Sequence, residues 1–456
     1  METVAAISTA QGVGGVGMIR ISGEKAIEIA QKVFRPYFGQ AENCLANLKG
    51  YSAKYGKILD GNEFIDDAVA LVFKAPHSYT GEDVVEISCH GGLYITRRVL
   101  RCILDAGASL AGPGEFTKRA FLNGKMDLSQ AEAVMDLISA KSKRANELAF
   151  SAKEGASSKK INEIKNQLLN IIAQLSVWAD YPEDDVPEID ENTLKTELKD
   201  IYEKISKTIE NYDTCKALKE GVKTAIIGRP NVGKSTLMNL LAGCNKSIVT
   251  NIPGTTRDVI EETVMVGDIP LLLVDTAGIR QTDDIIEKIG VERAKEYINI
   301  SDITLMVLDA SAPLSGEDIE LLKAVNPQKT IVILNKCDLS KKIKAEELST
   351  FSDKIVELSA AQGSGIEHLR KSIEDLVGLA SFEPSEALVC NERQLTELKK
   401  SHAMLKKAIS ELELGVTLDA VTVLLQDVIE VFMEFTGERA SETVVNKIFE
   451  KFCVGK

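Results

Sequence analysis

Residues 228–236 read GRPNVGKST, and no other stretch constrains the fold of this chain as strongly. The pattern G-x-x-x-x-G-K-[ST] sits between an apolar run, KTAIIG, and a helical run, LMNLLAG. In that setting the glycines permit a tight turn whose backbone N–H groups converge on phosphate oxygens at a helix N-terminus. Asn231, Val232, Gly233 and Thr236 build the loop, Lys234 reaches the β- and γ-phosphates, and the Ser235 hydroxyl is placed for Mg²⁺. Such a loop needs a mainly parallel sheet behind it. Between about 217 and 379 the runs KTAIIG, PLLLVDT, ITLMVLDA, TIVILNK and KIVELSA alternate with helical stretches, as that architecture requires.

Two more loops at strand ends specify the ligand. In VDTAGIR, Asp275 is placed to hold Mg²⁺ through water and the Gly278 amide to bond a γ-phosphate, with Thr276 and Ala277 between them. A helix-entry cap is the plainer role for Asp275, and the D-x-x-G register after a phosphate loop speaks against it. In LNKCD, Asp338 can accept from both N1–H and the exocyclic amine of guanine, whereas adenine would leave the carboxylate unpaired. An unmet buried polar group can discriminate by ~10⁴. Asn335 is expected to brace this loop, the Lys336 stem to lie on the base, and SAAQG (Ser359, Ala360, Ala361) to offer a backbone amide to the guanine O6. The nucleotide expected is GTP.

One part of a hydrolytic site is missing from its usual place. The residue after D-x-x-G, often a water-orienting glutamine, is Ile279. Arg280, Gln281, Asp283, Asp284 and Glu287 follow, each readable as a solvated switch charge or as the substitute group. Positive charge for the transition state can come from Arg257 or Arg280 as an arginine finger, or from a monovalent cation held by Asn231. For Asn231 the plainer role is a satisfied turn. Thr255 and Thr256 are possible ligands of Mg²⁺ or of that cation.

The remaining segments divide by pattern. Residues 1–118 read as mixed α/β, with strands in GVGMIRISG, DDAVALVF and EDVVEISCHGG and a helix over LYITRRVLRCILDAGA. Residues 119–216 turn helical: Asp127 and Gln130 form a capping box, and Ile161, Ile164, Leu168, Ile171, Ile172 and Leu175 share one face. Leu194, Leu198, Ile201, Ile205 and Tyr212 make a second stripe, and residues 380–456 a third through Leu424, Leu425, Val428, Ile429 and Phe432. The GTPase segment, 217–379, thus reads as an insertion into a helical domain whose halves are 119–216 and 380–456.

Eight cysteines without a C-x-x-C pair fit a reducing cytosol, and no run approaches the roughly 18 apolar residues of a membrane span. The start lacks the basic and apolar regions of a signal peptide. The net charge of −14 excludes a broadly basic coat, although Lys141, Lys143, Arg144, Lys153, Lys159 and Lys160 cluster locally, as a solvated helix face or a patch for nucleic acid. The final KFCVGK places Cys453 near the end, but Gly455 and Lys456 break the prenylation pattern.

Together these stretches resemble the tRNA modification GTPase family MnmE (TrmE), over all 456 residues. GRPNVGKST, PGTTRD, DTAGIR and NKCD carry the GTPase part of the likeness. TGEDVVEISCHGG, GPGEFTKRAFLNGKMDLSQAEA and FCVGK separate the family from related GTPases. The resemblance implies a K⁺-activated GTPase whose G-domains pair face to face. It makes Asn231, Thr250, Ile252 and Thr255 the K⁺ ligands and adds Thr256 to Ser235 on Mg²⁺. Asn251, Pro253 and Gly254 lie in the same nucleotide-facing loop, and Glu287 becomes the residue that orients water.

The resemblance further implies that residues 1–118 bind a tetrahydrofolate derivative (5,10-methylene or 5-formyl) through Arg20, Glu86, Lys125 and Lys456, and dimerise the chain. The tail would fold back to that pocket, where Cys453 is either a nucleophile or a structural end, and His90 would sit close. The implied partner is an MnmG (GidA) flavoprotein carrying FAD. With it the homodimer forms a heterotetramer or larger complex that adds an aminomethyl or carboxymethylaminomethyl group to carbon 5 of a wobble uridine in tRNA. The expected compartment is the cytoplasm. Two other readings compete: a regulatory switch in tRNA or ribosome maturation without base chemistry, and an aminomethyltransferase in which GTP is only structural.

Overall fold

The computed structural model describes residues 1–40, 42–180, 190–243, 262–274, 290–379, 382, 389 and 391–456. The chain forms two compact units. One comprises Met1–Met135, Ala152–Glu188 and Glu411–Lys456; the other comprises Asp136–Ser151 and Ile189–Ser410.

The first unit is built on a seven-stranded sheet. Its strands are β1 (Val4–Ile7), β2 (Val16–Ser22), β3 (Phe34–Pro36), β4 (Ser52–Asp60), β5 (Glu63–Phe73), β6 (Val84–His90) and β7 (Ser109–Leu110), in the order β3-β4-β5-β6-β2-β1-β7. Every pairing is antiparallel except that of β1 with β7. Alternation decides which side chains go inward. Ile19, Ile21, Ala68, Ala70, Val85 and Ile87 join a core that includes Ile29 of the helix Ala26–Val33 and Val99 and Ile103 of the helix Leu93–Asp105. Arg20 and Glu86 therefore take the opposite face, directly paired in register.

In the same unit the helix Ala156–Asp180 packs along the helix Leu418–Thr436. The predicted stripe from Ile161 to Leu175 is buried, as are Leu425, Val428, Ile429 and Phe432, while Leu424 is only half-buried. Each such side chain stabilises by about 1.5–3 kcal/mol relative to exposure. The Asp127–Gln130 capping box is present, both of its reciprocal bonds being 2.9 Å.

The second unit holds a six-stranded sheet of β8 (Val222–Ile227), β9 (Glu262–Val266), β10 (Ile269–Leu273), β11 (Ile303–Asp309), β12 (Thr330–Asn335) and β13 (Ile355–Glu357). Its order is β13-β12-β11-β8-β10-β9, parallel throughout except for β9 with β10. Hydrophobic clusters cover both faces, so β11 and β12 are apolar without alternation. The C-terminal ends of β8, β11 and β12 converge on the loops that the sequence marks for nucleotide. Tyr212 departs from its stripe: the helix Glu191–Glu210 stops, and Tyr212 opens the next helix, Tyr212–Glu220.

Candidate nucleotide site and the anchored C-terminal tail

The phosphate loop leaves β8 at Gly228 and enters the helix Lys234–Gly243. Asn231 and Gly233 take left-handed backbone angles, φ 62° and 98°. The first costs strain, since Asn231 carries a Cβ. At Gly233 any Cβ would also lie 2.2 Å from Asn335 Nδ2, so glycine is required twice over. The Lys234 ammonium donates to the carbonyls of Gly228 (2.7 Å) and Arg229 (2.8 Å), and burial holds its pKa below the ordinary lysine value. Ser235 and Thr236 present exposed side chains at the first turn of the helix, while Val232 is buried beneath the loop. Backbone N–H groups at a helix start and a lysine ammonium form a donor set suited to phosphate and, through Ser235, to a phosphate-bound Mg²⁺.

Asn335, 2% exposed, ends β12 and braces two loops at once. Its Nδ2 donates to the Val232 carbonyl at 2.8 Å, and its Oδ1 accepts from the Ala360 amide at 2.9 Å. The Ser359 amide bonds Ser364 at 3.0 Å, which closes the turn containing Ala360 and Ala361. Lys336, at φ 64°, sends its ammonium to the Asn231 carbonyl (2.8 Å) and to Asp309 Oδ2 (2.7 Å). Burial pushes the Asp309 carboxyl up, but bonds from Lys336 and Ser311 outweigh it and hold the group below the usual carboxylate range. Asp338 is exposed at the mouth of this loop, free to meet the edge of a base. Arg229, outside the sequence reading, forms an ion pair with the buried Asp318 at 3.3 Å.

Thr250, Asn251, Ile252, Pro253, Gly254, Thr255, Thr256 and Arg257 lie outside the described residues, as do Asp275, Thr276, Ala277, Gly278, Ile279, Arg280, Gln281, Asp283, Asp284 and Glu287.

A second constellation occupies the first unit. Arg20 reaches Glu86 Oε1 with two nitrogens, at 2.9 and 2.8 Å, and its guanidinium lies 5.6 Å from the Tyr79 ring and 5.4 Å from the Phe116 ring. Beside it, Arg119, 3% exposed, is held by Glu82 (3.0 Å) and Glu115 (3.0 Å), while Glu82 also accepts from Ser22 at 2.7 Å. The Lys125 ammonium bonds the Pro76 carbonyl at 3.1 Å. Glu115 is one helical turn from Arg119, but Glu82 lies 37 residues away in sequence. For that reason Arg119 and Glu82 gave no signal.

The tail is fixed to this constellation. Phe116, whose ring faces Arg20, accepts the chain end at its backbone: its amide donates to the Lys456 carbonyl at 3.1 Å. The Gly114 amide donates to Cys453 O at 3.3 Å, Pro113 bridges Val454, and Ser8 Oγ donates to Gly455 O at 2.9 Å. Cys453 itself is exposed as a free thiol. His90 stands at the far end of β6 from Glu86. Asp66 accepts from its backbone N–H and meets its Nδ1, both at 2.7 Å, and that contact raises the imidazole pKa above 6.5. No helix among the described residues is long and apolar enough to cross a membrane.

Comparison with known proteins covers both units. Residues 3–125 match the family model of the GTP-binding protein TrmE N-terminus, and residues 128–453 match that of the MnmE helical domain. A tRNA modification GTPase MnmE of Clostridioides difficile (strain 630) is 45% identical over 100% of this chain and 99% of its own length. One from Thermoanaerobacter pseudethanolicus is 43% identical with the same coverage. Among solved structures, the G domain of the T. maritima FeoB iron transporter is 29% identical, covering 34% of this chain and 98% of its own, at a TM-score of 0.25. The full-length matches extend far beyond the phosphate-binding segment that many GTPases share. This chain belongs to the tRNA modification GTPase MnmE family.

Proposed function

We propose that this tRNA-modifying GTPase works as a K⁺-dependent homodimer. Its G-domains pair during hydrolysis, and with an MnmG-type flavoprotein it builds an aminomethyl or carboxymethylaminomethyl group on carbon 5 of the wobble uridine. The chain is read as four segments: 1–118 for folate and dimerisation, 119–216 and 380–456 as halves of a helical domain, and 217–379 as the GTPase.

GTP would sit on the loop 228–236 with its base read by Asp338 and its loops held by Asn335. Ser235 with Thr256 would hold Mg²⁺, and Asn231 with Thr250, Ile252 and Thr255 would hold K⁺. A bound cation of this kind supplies the positive charge that an arginine finger supplies elsewhere. Asp275 and Gly278 would sense the γ-phosphate, and Glu287 would orient the attacking water in place of the side chain that Ile279 lacks. FAD belongs to the partner and not to this chain. The cytoplasm is the compartment this chemistry needs.

The folate reading is carried by one observation. The Arg20 guanidinium, paired with Glu86, lies against the Tyr79 and Phe116 rings, and the chain terminus is bonded to Phe116. Both guanidinium contacts go to Oε1, which leaves Glu86 Oε2 for an N–H donor of a pterin, with the aromatic rings beside Arg20 to pack on its faces. Lys125 and Lys456 add positive charge for the folate carboxylates. Bound tetrahydrofolate would supply the one-carbon unit, and Cys453 stands on the anchored tail as a thiol for that step. The alternative is a regulatory GTPase without base chemistry. Equilibrium binding of 5-formyltetrahydrofolate to the full chain separates the two. The proposal expects binding that Arg20→Ala weakens at least about 10-fold, as loss of a charged hydrogen bond implies. No binding by the unaltered chain would leave the regulatory reading standing.

A further inference from the structure

Asn231 and Lys336 are two of the four non-glycine residues with left-handed backbone among the described residues, and one bond joins them: Lys336 Nζ to the Asn231 carbonyl, 2.8 Å. One residue belongs to the phosphate loop and the other to the base-reading loop. A lysine ammonium on a flexible four-carbon stem holds such a bridge poorly unless something fixes its far end. Asp309 does so. Its Oδ2 accepts from Lys336 Nζ at 2.7 Å, and its side chain is only 13% exposed.

Asp309 is itself rigidly set. It ends β11 in register with Asn335 on β12, and the next amide, Ala310, bonds the Asn335 carbonyl at 2.9 Å. Its two oxygens are divided: Oδ1 accepts from the Ser311 amide (2.9 Å) and hydroxyl (2.6 Å), and Oδ2 is left to Lys336. An asparagine in its place has one acceptor oxygen and cannot serve both sides.

We infer that Asp309 is a positioning residue for nucleotide binding: acting through Lys336, it locks the base-reading loop to the phosphate loop so that both present their contacts together. The inference deepens the reading of 228–236 and 335–338 as one nucleotide site, and rests on it. Asp309 needs no contact with the nucleotide to do this.

The test is a double-substitution cycle in the full-length chain, read by equilibrium binding and release of a fluorescent GDP analogue. Asp309→Ala is expected to weaken binding about 10-fold, chiefly through faster release, the size of a lost charge-assisted hydrogen bond. Lys336→Ala should weaken it similarly, and the double variant should be no worse than Lys336→Ala alone. Ser311→Ala, which spares the Lys336 contact, should stay within about 2-fold of the unaltered chain. In hydrolysis, Asp309→Ala should raise KM for GTP more than it lowers kcat. Should the alanine variant melt below the assay temperature, Asp309→Asn carries the same cycle. Effects of Asp309→Ala and Lys336→Ala that multiply in the double variant would overturn the inference. So would Ser311→Ala reproducing the Asp309→Ala defect. Failure of the unaltered chain to bind the analogue would instead overturn the reading of the site itself.

Discussion

The Asn335 side chain donates to the Val232 carbonyl at 2.8 Å, so the end of one strand carries the floor of the phosphate loop. The same amide group accepts from Ala360 at 2.9 Å, and three loops distant in sequence thereby share one buried residue. Asn335→Ala leaves an orphaned carbonyl and an orphaned N–H, each costing about 1–3 kcal/mol. The expected outcome is a loss of about 100-fold in GDP affinity, seen in a fluorescent-nucleotide titration. Affinity within 3-fold of the unaltered chain would show the brace to be dispensable.

In the proposed site, base choice rests on one exposed carboxylate, Asp338. Asp338→Asn replaces one acceptor by an N–H donor that faces the guanine amine, whereas xanthine offers a carbonyl there. Competition binding should show GTP weakened by about 100-fold or more and XTP strengthened. Unchanged preference for GTP would move the discrimination to another residue.

Several elements are legible in the sequence because each carries its own short pattern. The strand preceding the phosphate loop, the Asp127–Gln130 cap and the stripe from Ile161 to Leu175 are local signals, and the structure has all of them. What is silent depends on partners far away. β4 (SAKYGKILD) has lysines at Lys54 and Lys57 and a central Gly56, and becomes a strand through its pairing with β5. Gly56 itself is needed because a Cβ would lie 2.2 Å from the Arg35 carbonyl on β3. β3 and β7 are three and two residues long, below any periodicity. Tyr212 continues a helical spacing across a break at Asn211, where spacing alone shows no boundary. Arg119 and Asp309 look like ordinary surface charges until Glu82 and Lys336 are brought beside them.

The anchored tail makes its own prediction. Gly455 has φ 95°, and a Cβ there would lie 2.3 Å from the Ile7 carbonyl. Gly455→Ala should detach the end from Ser8 and Phe116 and cost about 1–3 kcal/mol. Thermal melting should fall, 5-formyltetrahydrofolate binding should weaken, and GDP affinity should not change. Intact folate binding with the tail displaced would remove Lys456 from the pocket.

His90 gives a pH-dependent signal. Its hydrogen bond and charge contact with Asp66 raise its pKa above 6.5. A raised folded-state pKa stabilises the fold fully below the unfolded value, and that contribution fades as pH rises through the folded one. Titration of the ring proton by NMR should give a midpoint above 6.5, and Asp66→Asn should return it toward 6.5. A midpoint unaffected by Asp66→Asn would separate the two groups.

In the proposed mechanism a cation beside Asn231 completes a GTPase whose sequence has Ile279 where a water-orienting side chain is common. The most direct measurement is GTP hydrolysis by the full chain in matched KCl and NaCl, repeated with Asn231→Ala. Turnover at least about 10-fold faster in K⁺ is expected, with that difference abolished in the variant, as loss of a transition-state charge contact implies. Equal rates in the two salts would contradict it, and would turn attention to an activating partner that brings its own arginine.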